Sequence, residues 1–477
     1  MSDAKTPGHP VTPPITTSAV ADRVSYTPTA ALSYDPVEPV YWDTKALKEE
    51  VTRVFEICHG CRMCFKYCDA FPNLFDLVDN KHDGHVTAIT DAETSDVMDD
   101  CFQCKLCEVQ CPYTPRDGHP FLLDFPKLVH RYKAVRAREN GVSRRDKFLG
   151  DPDTAGKMAR LSGGLANKMN RVAAHRWFME KTLGIHRDKL LPPFANETFE
   201  EWASAQGLIK AVPGGEVVIF QTCYVEHNEP QVGRDTVEVF RKNQIDVQCA
   251  RGLSCCGMPA WESGNLPELQ KRAARNLDVL MPFVEKGAKV VAINPTCSMM
   301  LRREYPTLVA EADRPRAERL AEAVRDPSEY LWSMKDDPRF SRDFRSHPEK
   351  VAYHAPCHLR AQAVGFRGRD LIRRTGASDI DFVAECCGHD GTYAMKVESF
   401  EASARIGKKA FDGMAQAEAT TWVTDCPLAA VQFEQHAGTR PLHPMSLLAR
   451  AYRGESFATA ASDGGVAAEN DKPPTTK

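Results

Sequence analysis

The sequence predicts an α+β multidomain protein in which a helical, cysteine-rich domain precedes two related α/β half-domains. Three observations predict it: two four-cysteine runs of identical spacing between residues 58 and 111, alternating strand-like and helix-like segments from 216 to 450, and an internal repeat within that alternation. The expected order is a disordered extension over 1–40, the cysteine-rich domain over 41–120, a helical linker region over 121–215, half-domains over 216–335 and 345–450, and a disordered tail over 451–477. Residues 1–40 are rich in Pro, Thr and Ala with little periodicity, as is the tail, which is the composition of chain that cannot bury a core.

The first cysteine run is Cys58-x2-Cys61-x2-Cys64-x3-Cys68 and the second is Cys101-x2-Cys104-x2-Cys107-x3-Cys111-Pro112. This is the bacterial ferredoxin pattern, in which the fourth cysteine ligates the other cluster. Three thiolates two residues apart can wrap one cubane in a single loop, while the fourth corner comes from the paired run. Cys58, Cys61, Cys64 and Cys111 are therefore expected on one [4Fe–4S] cluster, and Cys101, Cys104, Cys107 and Cys68 on the other. Structural zinc fits less well, because such sites use separated ligand pairs around one ion. The first run has Asp69 where the second has Pro112, and the insert between the runs, Asp69 to Asp100, is long enough for a helix or hairpin.

The linker region reads as helical and has no cysteine. Between Lys127 and Lys147 it holds eight Lys/Arg against Glu139 and Asp146, read as a solvated face or as a docking surface for a partner or an anionic membrane.

The repeat is carried by matching features. Val217-Val-Ile-Phe220 before Cys223 matches Val351-Ala-Tyr353 before Cys357. Ser254-Cys255-Cys256-Gly257 matches Glu385-Cys386-Cys387-Gly388. Val290-Val-Ala-Ile293 before Cys297 matches Trp422-Val-Thr424 before Cys426. The cysteine offsets are 134, 131 and 129 residues. Each half offers four cysteines: Cys223, Cys255, Cys256 and Cys297, then Cys357, Cys386, Cys387 and Cys426. In three of the four cases the lone cysteine follows a β-rich run, which puts it at the carboxyl end of a strand, where α/β sheets place ligand sites. These eight are candidates for further cluster ligation, a reactive thiol pair, or inert packing. Of the 17 cysteines only Cys249 is left over, and it reads as a small core residue. His354, His358 and His389 lie beside the cysteines and read as hydrogen-bonding neighbours. His354-Ala-Pro-Cys357-His358 lacks the Cys-x-x-Cys-His needed to attach haem.

Two ferredoxin runs followed by two Cys-Cys-Gly domains resemble the C subunit of anaerobic glycerol-3-phosphate dehydrogenase and the iron–sulfur subunit of glycolate oxidase. The C-terminal half also resembles the B subunit of heterodisulfide reductase. The resemblance covers about residues 50–450, and the segments 354–358 and Cys386-Cys-Gly-His-Asp-Gly-Thr-Tyr393 are nearest to the glycerol-3-phosphate dehydrogenase component. It implies a chain that carries electrons from a flavoprotein dehydrogenase, of glycerol-3-phosphate or 2-hydroxy-acid type, towards quinone or another acceptor. The family pattern ends in Cys-x-x-Cys, whereas Cys297 precedes Ser-Met-Met and Cys426 precedes Pro-Leu-Ala. The family's five-cysteine non-cubane cluster thus lacks a ligand in each half. A four-cysteine cubane or no cluster remains.

Composition narrows the classes further. Net charge −4 gives no whole-chain reason for nucleic-acid binding. An N-terminus without an apolar segment argues against secretion, and no apolar stretch approaches the 18 residues that span a bilayer. The chain has neither G-x-G-x-x-G nor G-x-x-x-x-G-K-[ST], so dinucleotide and P-loop sites lack support. Clusters pass single electrons while organic substrates give two, so a flavin-bearing partner is expected. The expectation is a non-catalytic electron-transfer subunit, cytoplasmic or peripheral on the inner face of the membrane. Its alternatives are a heterodisulfide reductase-like enzyme acting at the Cys-Cys-Gly sites and a redox-inert, metal-stabilised scaffold.

Overall fold

The computed structural model describes residues 24–459; the expected disorder of 1–23 and 460–477 lies outside the described residues. The chain opens with α1 (Thr44–Cys61), whose Asp43 cap accepts from Ala46 N, then α2 (Ala70–Asp76), α3 (Asp91–Asp99) and α4 (Leu106–Gln110). Thr90 and Glu93 form a reciprocal cap on α3. The insert between the cysteine runs is thus helical, α2 continuing into a π turn over Leu77–Lys81. Apolar residues of α1–α3, with Phe102, Leu106, Phe125 and Leu128, make the core of this domain.

The linker region supplies α5 (Phe125–Asn140), α6 (Arg144–Leu149), α7 (Pro152–Leu161), α8 (Leu165–Met169), α9 (Ala173–Leu183) and α10 (Phe199–Ala205). The basic stretch on α5 and α6 is only partly a free face: Arg138, Arg144 and Lys147 are exposed, while others turn inward or pair. Arg131 is fully buried and donates to the carbonyls of Ala31, Val40 and Tyr41. Lys133 reaches the Cys101 carbonyl, while Arg136 pairs with Asp99 and Arg145 with Glu398.

Those bonds also correct the expectation of disorder over 24–40. The Ala31 and Ser33 side chains are buried, and Asp35 pairs with Arg314 of the first half-domain. Composition failed here because the segment is ordered by charged partners about 100 and 279 residues away rather than by its own apolar periodicity.

The first half-domain runs β1 (Val217–Phe220), α11 (Thr222–His227), α12 (Pro230–Lys242), β2 (Val247–Cys249), α13 (Met258–Glu262), α14 (Leu266–Val284), β3 (Lys289–Ala292) and α15 (Pro295–Met299). It continues through α16 (Tyr305–Leu308), α17 (Arg314–Ala323), β4 (Val324–Arg325) and α18 (Pro327–Ser333). The second runs β5 (Lys350–His354), α19 (Cys357–Gln362), α20 (Arg367–Arg374), β6 (Asp379–Val383), α21 (Phe400–Gln416), β7 (Thr421–Thr424), α22 (Pro427–Ala437) and α23 (Pro444–Arg453). The expected tail therefore begins later than residue 451, since α23 continues to Arg453 and Tyr452 is buried.

Both sheets are wholly parallel. Their orders are β2-β1-β3-β4 and β6-β5-β7, so corresponding strands occupy corresponding places, as the repeat requires. Val217 pairs with Val247 and Lys289 in one, and Val351 with Ile380 and Thr421 in the other. Strands β1 and β7 are buried along their whole length, as parallel strands covered on both faces must be. Leu371, Met445 and Leu448 of the second half join Phe240 and Val239 of α12 in one core, which fixes the halves together. The fold is thus α+β and multidomain. Among the described residues no helix is long and apolar enough to cross a membrane.

Candidate metal centres

The first cysteine run begins on a helix. Cys58 and Cys61 are one turn apart on α1, which ends where Arg62 turns left-handed and its N–H bonds the Cys58 carbonyl. The chain then curls back so that Cys64 joins them. Cys111, after α4, completes the group: Cys58, Cys61, Cys64 and Cys111 all line one small apolar cavity with Ile57, Leu123 and Phe125. In the second run Gln103 and Lys105 both take left-handed backbone conformations, which turn the loop around its thiols. Cys68 is near Cys101 and Cys104, and Cys107 is near Cys64 as well as Cys101 and Cys68. The last cysteine of each run thus lies among thiols of the other run, Cys111 near Cys61 and Cys64 and Cys68 near Cys101.

The two sets differ in access. Cys58, Cys61, Cys64 and Cys111 are half-buried, whereas Cys68, Cys101, Cys104 and Cys107 are at most 9% exposed. Burial and neighbouring thiols push the Cys58 and Cys107 pKa values well up. Crowded soft donors in a dry setting are suited to a cation that takes thiolates. The fully buried amide of Gln103, beside Cys104, has no partner for its Nε2 among the described residues. Inorganic sulfide would give that N–H an acceptor. Donor set and orphaned amide both fit an iron–sulfur cluster, which when bound supplies one-electron transfer.

All four lone cysteines of the half-domains stand just past the carboxyl end of a strand: Cys223 after β1, Cys297 after β3, Cys357 after β5 and Cys426 after β7. The Cys-Cys pairs come to meet them. Cys223 is within hydrogen-bond reach of Cys255, and Cys256 of Cys255 and Cys297. Cys357 is likewise within reach of Cys386, with Cys387 near Cys386 and Cys426. In both halves the first cysteine of the pair has the depressed pKa, because hydrogen bonds from adjacent thiols (Cys223 and Cys256 for Cys255, Cys104 and Cys357 for Cys386) stabilise its thiolate. Cys249 is buried in β2 as a core residue.

The glycine after each pair is required by the backbone and by close packing. Gly257 has φ +89° and Gly388 φ +72°. A Cβ at 257 would meet only the end of the Leu269 side chain, at 2.5 Å, whereas one at 388 would lie 2.1 Å from the Ser403 carbonyl oxygen on α21. G257A is expected to destabilise by about 1–2 kcal/mol, the left-handed backbone term. G388A should lose more, because α21 must also retreat; urea midpoints of the two variants measure the difference.

The two halves share one cavity. Cys223, Cys255, Cys256 and Cys297 line it from one side, and Cys357, Cys387 and Cys426 from the other, with His358, His389 and Asp390. His354 and His358 are the hydrogen-bonding neighbours expected. His354 joins Thr424 Oγ1 and the Glu385 carbonyl; His358 joins Thr296 Oγ1 and the Gln103 carbonyl, and its Nε2 lies 3.3 Å from Asp390 Oδ2 without a hydrogen bond to it. His358 thereby touches all three parts of the molecule. Burial lowers the His354 and His358 pKa values to about 4 and raises that of Asp390. Neither ring nitrogen of His389 has a partner among the described residues. Cys357, His358 and Asp390 offer ligand atoms within 4.8 Å of one another, a grouping the sequence reading did not make.

The contact that sequence reasoning missed joins the domains. Cys104 lies within hydrogen-bond reach of Cys386 and near Cys357, so the buried ferredoxin-type set abuts the second half-domain's thiols. Beside it, buried Lys105 bonds Glu304 at 2.6 Å and lies 3.8 Å from Glu108, which pairs with Arg303.

These features define a chain with a ferredoxin-type domain holding two cysteine runs and two cysteine-rich α/β domains. Family comparison agrees: a 4Fe-4S dicluster domain matches residues 57–114, and a cysteine-rich domain (CCG) matches 217–302 and 351–434. The chain resembles the C subunit of anaerobic glycerol-3-phosphate dehydrogenase from Escherichia coli (strain K12), with 28% identity over 65% of this chain and 77% of that protein. It is also similar to lactate utilization protein A of Bacillus pumilus, with 28% identity over 38% of this chain and 76% of that protein. The B subunit of fumarate reductase (CoM/CoB) from Methanothermobacter marburgensis is 26% identical over 48% of this chain and 44% of its own length. The matches indicate iron–sulfur clusters as the cofactors.

Proposed function

We propose that this chain is an electron-transfer subunit that binds two [4Fe–4S] clusters, on Cys58, Cys61, Cys64 and Cys111 and on Cys101, Cys104, Cys107 and Cys68. It accepts electrons from a flavoprotein dehydrogenase and passes them towards quinone or another acceptor at the periphery of the membrane. One observation carries the reading: the thiol sets form an unbroken series from the surface inward. The half-exposed first set adjoins the buried second set through Cys64 and Cys107, and the second set adjoins the CCG thiols through Cys104 and Cys386. The fold orders these groups and keeps the inner ones dry, while the half-exposed set, flanked by exposed Met63 and Phe65, is where a partner gains contact. The relatives, one a component of a dehydrogenase and another of a reductase, support a place within an oxidoreductase complex.

Iron and acid-labile sulfide content, with low-temperature EPR on anaerobically purified protein, tests the ligation. About eight irons are expected if the ferredoxin-type set alone is loaded, and about sixteen if both CCG halves each bind a four-iron cluster as well. Protein that retains no labile sulfide, however gently handled, sinks the proposal.

A second reading rests on the cavity shared by the halves. Thiols from both sides face it together with His389 and Asp390, a setting in which a disulfide could be reduced. It expects turnover of a disulfide with reduced dye and no partner protein; absence of such turnover leaves the relay reading alone.

A further inference from the structure

We propose that α7, α8, α9 and the turns joining them form the surface by which the chain lies on an anionic lipid bilayer. The proposal rests on the peripheral-membrane reading above and gives it a location. Large apolar side chains are concentrated on the outside of this segment. Of the fifteen exposed ones among the described residues, six fall between residues 158 and 178: Met158, Leu161, Leu165, Val172, Trp177 and Phe178. Leu161 is 89% exposed and Trp177 50%, and a folded chain leaves such a group uncovered where something else covers it.

Charge selects the occupant. Between residues 157 and 181 there are six Lys/Arg against one acid, Glu180, which is already paired with Arg187. Arg176 turns inward onto the carbonyls of His186, Arg187 and Lys189, leaving Lys157, Arg160, Lys168, Arg171 and Lys181 exposed. Lys157, Lys168 and Arg171 make no ion pair among the described residues. Apolar side chains mixed with unpaired cations, on helices too short to span a membrane, match the interface of a bilayer containing acidic headgroups. A second copy of this chain would bring the same positive charge against itself.

The position of α7 gives the surface a purpose. At its inner end Asp153 accepts from the Cys255 backbone N–H at 2.9 Å, and Arg272 of α14 bonds both Asp151 and Asp153. Gly156 presses on the His227 ring of α11. From Asp153 to Leu161 is eight residues, about 12 Å of helix. A bilayer touching Leu161 would thus lie within short reach of the first half-domain's thiols, where an acceptor dissolved in lipid could meet them.

Flotation of the full, anaerobically purified chain with phosphatidylcholine vesicles, with or without about one-third phosphatidylglycerol, tests this. Binding is expected to the anionic vesicles alone and to weaken with salt. L161E/W177E and K168E/R171E should each lower the bound fraction at least about tenfold, with iron content and dye-reducible clusters unchanged. Failure of the parent chain to float, or flotation of both variants like the parent, overturns the proposal. So does a dimer that does not float and that the variants dissociate, for then a second copy covers the face. A chain that floats as expected but cannot be reduced leaves the surface standing and removes the relay reading.

Discussion

Substitution of Cys104 by Ser is expected to stop electron transfer while leaving both α/β half-domains folded. Cys104 is in the buried cysteine set and is also the thiol that reaches Cys386 across the domain boundary. On the proposed ligation its loss removes the second cluster, so iron should fall by about four per chain and one of two EPR signals should disappear. Reduction of the half-exposed first set by dye should survive, since Cys58, Cys61, Cys64 and Cys111 are untouched. Transfer from a donor to an acceptor should drop to background. Serine changes the side-chain volume little and the strands lie elsewhere, so circular dichroism should match the parent. A C104S chain that passes electrons at the parent rate rules out the series proposed here.

The largest stability effect is expected at Lys105. Its ammonium is completely buried, bonds Glu304 at 2.6 Å and stacks over the Trp261 ring at 5.4 Å. Burial alone would raise the Glu304 pKa. The Lys105 ammonium outweighs it and holds the carboxyl at about 2, so the pair is ionised at neutral pH. K105M strands a buried carboxylate and should cost about 3–5 kcal/mol, read from the urea midpoint at pH 7. The double variant K105M/E304L, which replaces both charges by apolar groups, should recover most of that loss. The sign of the pH dependence follows from the depressed pKa. The folded value, about 2, lies below the ordinary 4.5, so this stabilisation is complete above about pH 4.5 and is lost as pH falls towards 2. K105M should therefore flatten the acid limb of the stability profile between those values. An unchanged acid limb would mean that the pair is not what joins the ferredoxin-type loop to the first half-domain.

Much of this was legible in the sequence because it is local. Cysteine spacing predicted that the last thiol of each run would lie among thiols of the other, and hydrophobic runs located β1, β3, β5 and β7 to within a residue or two. The Cys-Cys-Gly repeat anticipated two sheets of one topology, and each glycine indeed has the left-handed backbone that suits it. What was not legible depends on long separations. Lys105 and Glu304 are 199 residues apart and His358 and the Gln103 carbonyl 255, so no window of sequence pairs them. A lysine between Cys104 and Cys107, flanked by Leu106 and Phe102, was the one available sign, since a charge set in an apolar loop needs a partner. Residues 24–40 read as disordered because polar and proline-rich composition conceals chain held by distant Arg131 and Arg314 rather than by an apolar periodicity of its own. The basic run on α5 and α6 was only half legible: Arg131 and Lys133 are spent on internal carbonyls, which spacing does not reveal, while Arg138, Arg144 and Lys147 do face outward.

The enclosure of Cys68, Cys101, Cys104 and Cys107 also bears on how the protein is made. With α5 behind them and Cys357 and Cys386 in front, these thiols have almost no contact with solvent once the chain is complete. On the proposed ligation, a donor scaffold handing over a preformed cube needs open access to them. That access exists while the ferredoxin-type domain has emerged from the ribosome and the second half-domain has not. On that ligation, insertion is expected while the chain is nascent, before the second half-domain covers the site. A polypeptide that matures without iron would close over an empty inner site and be difficult to repair afterwards.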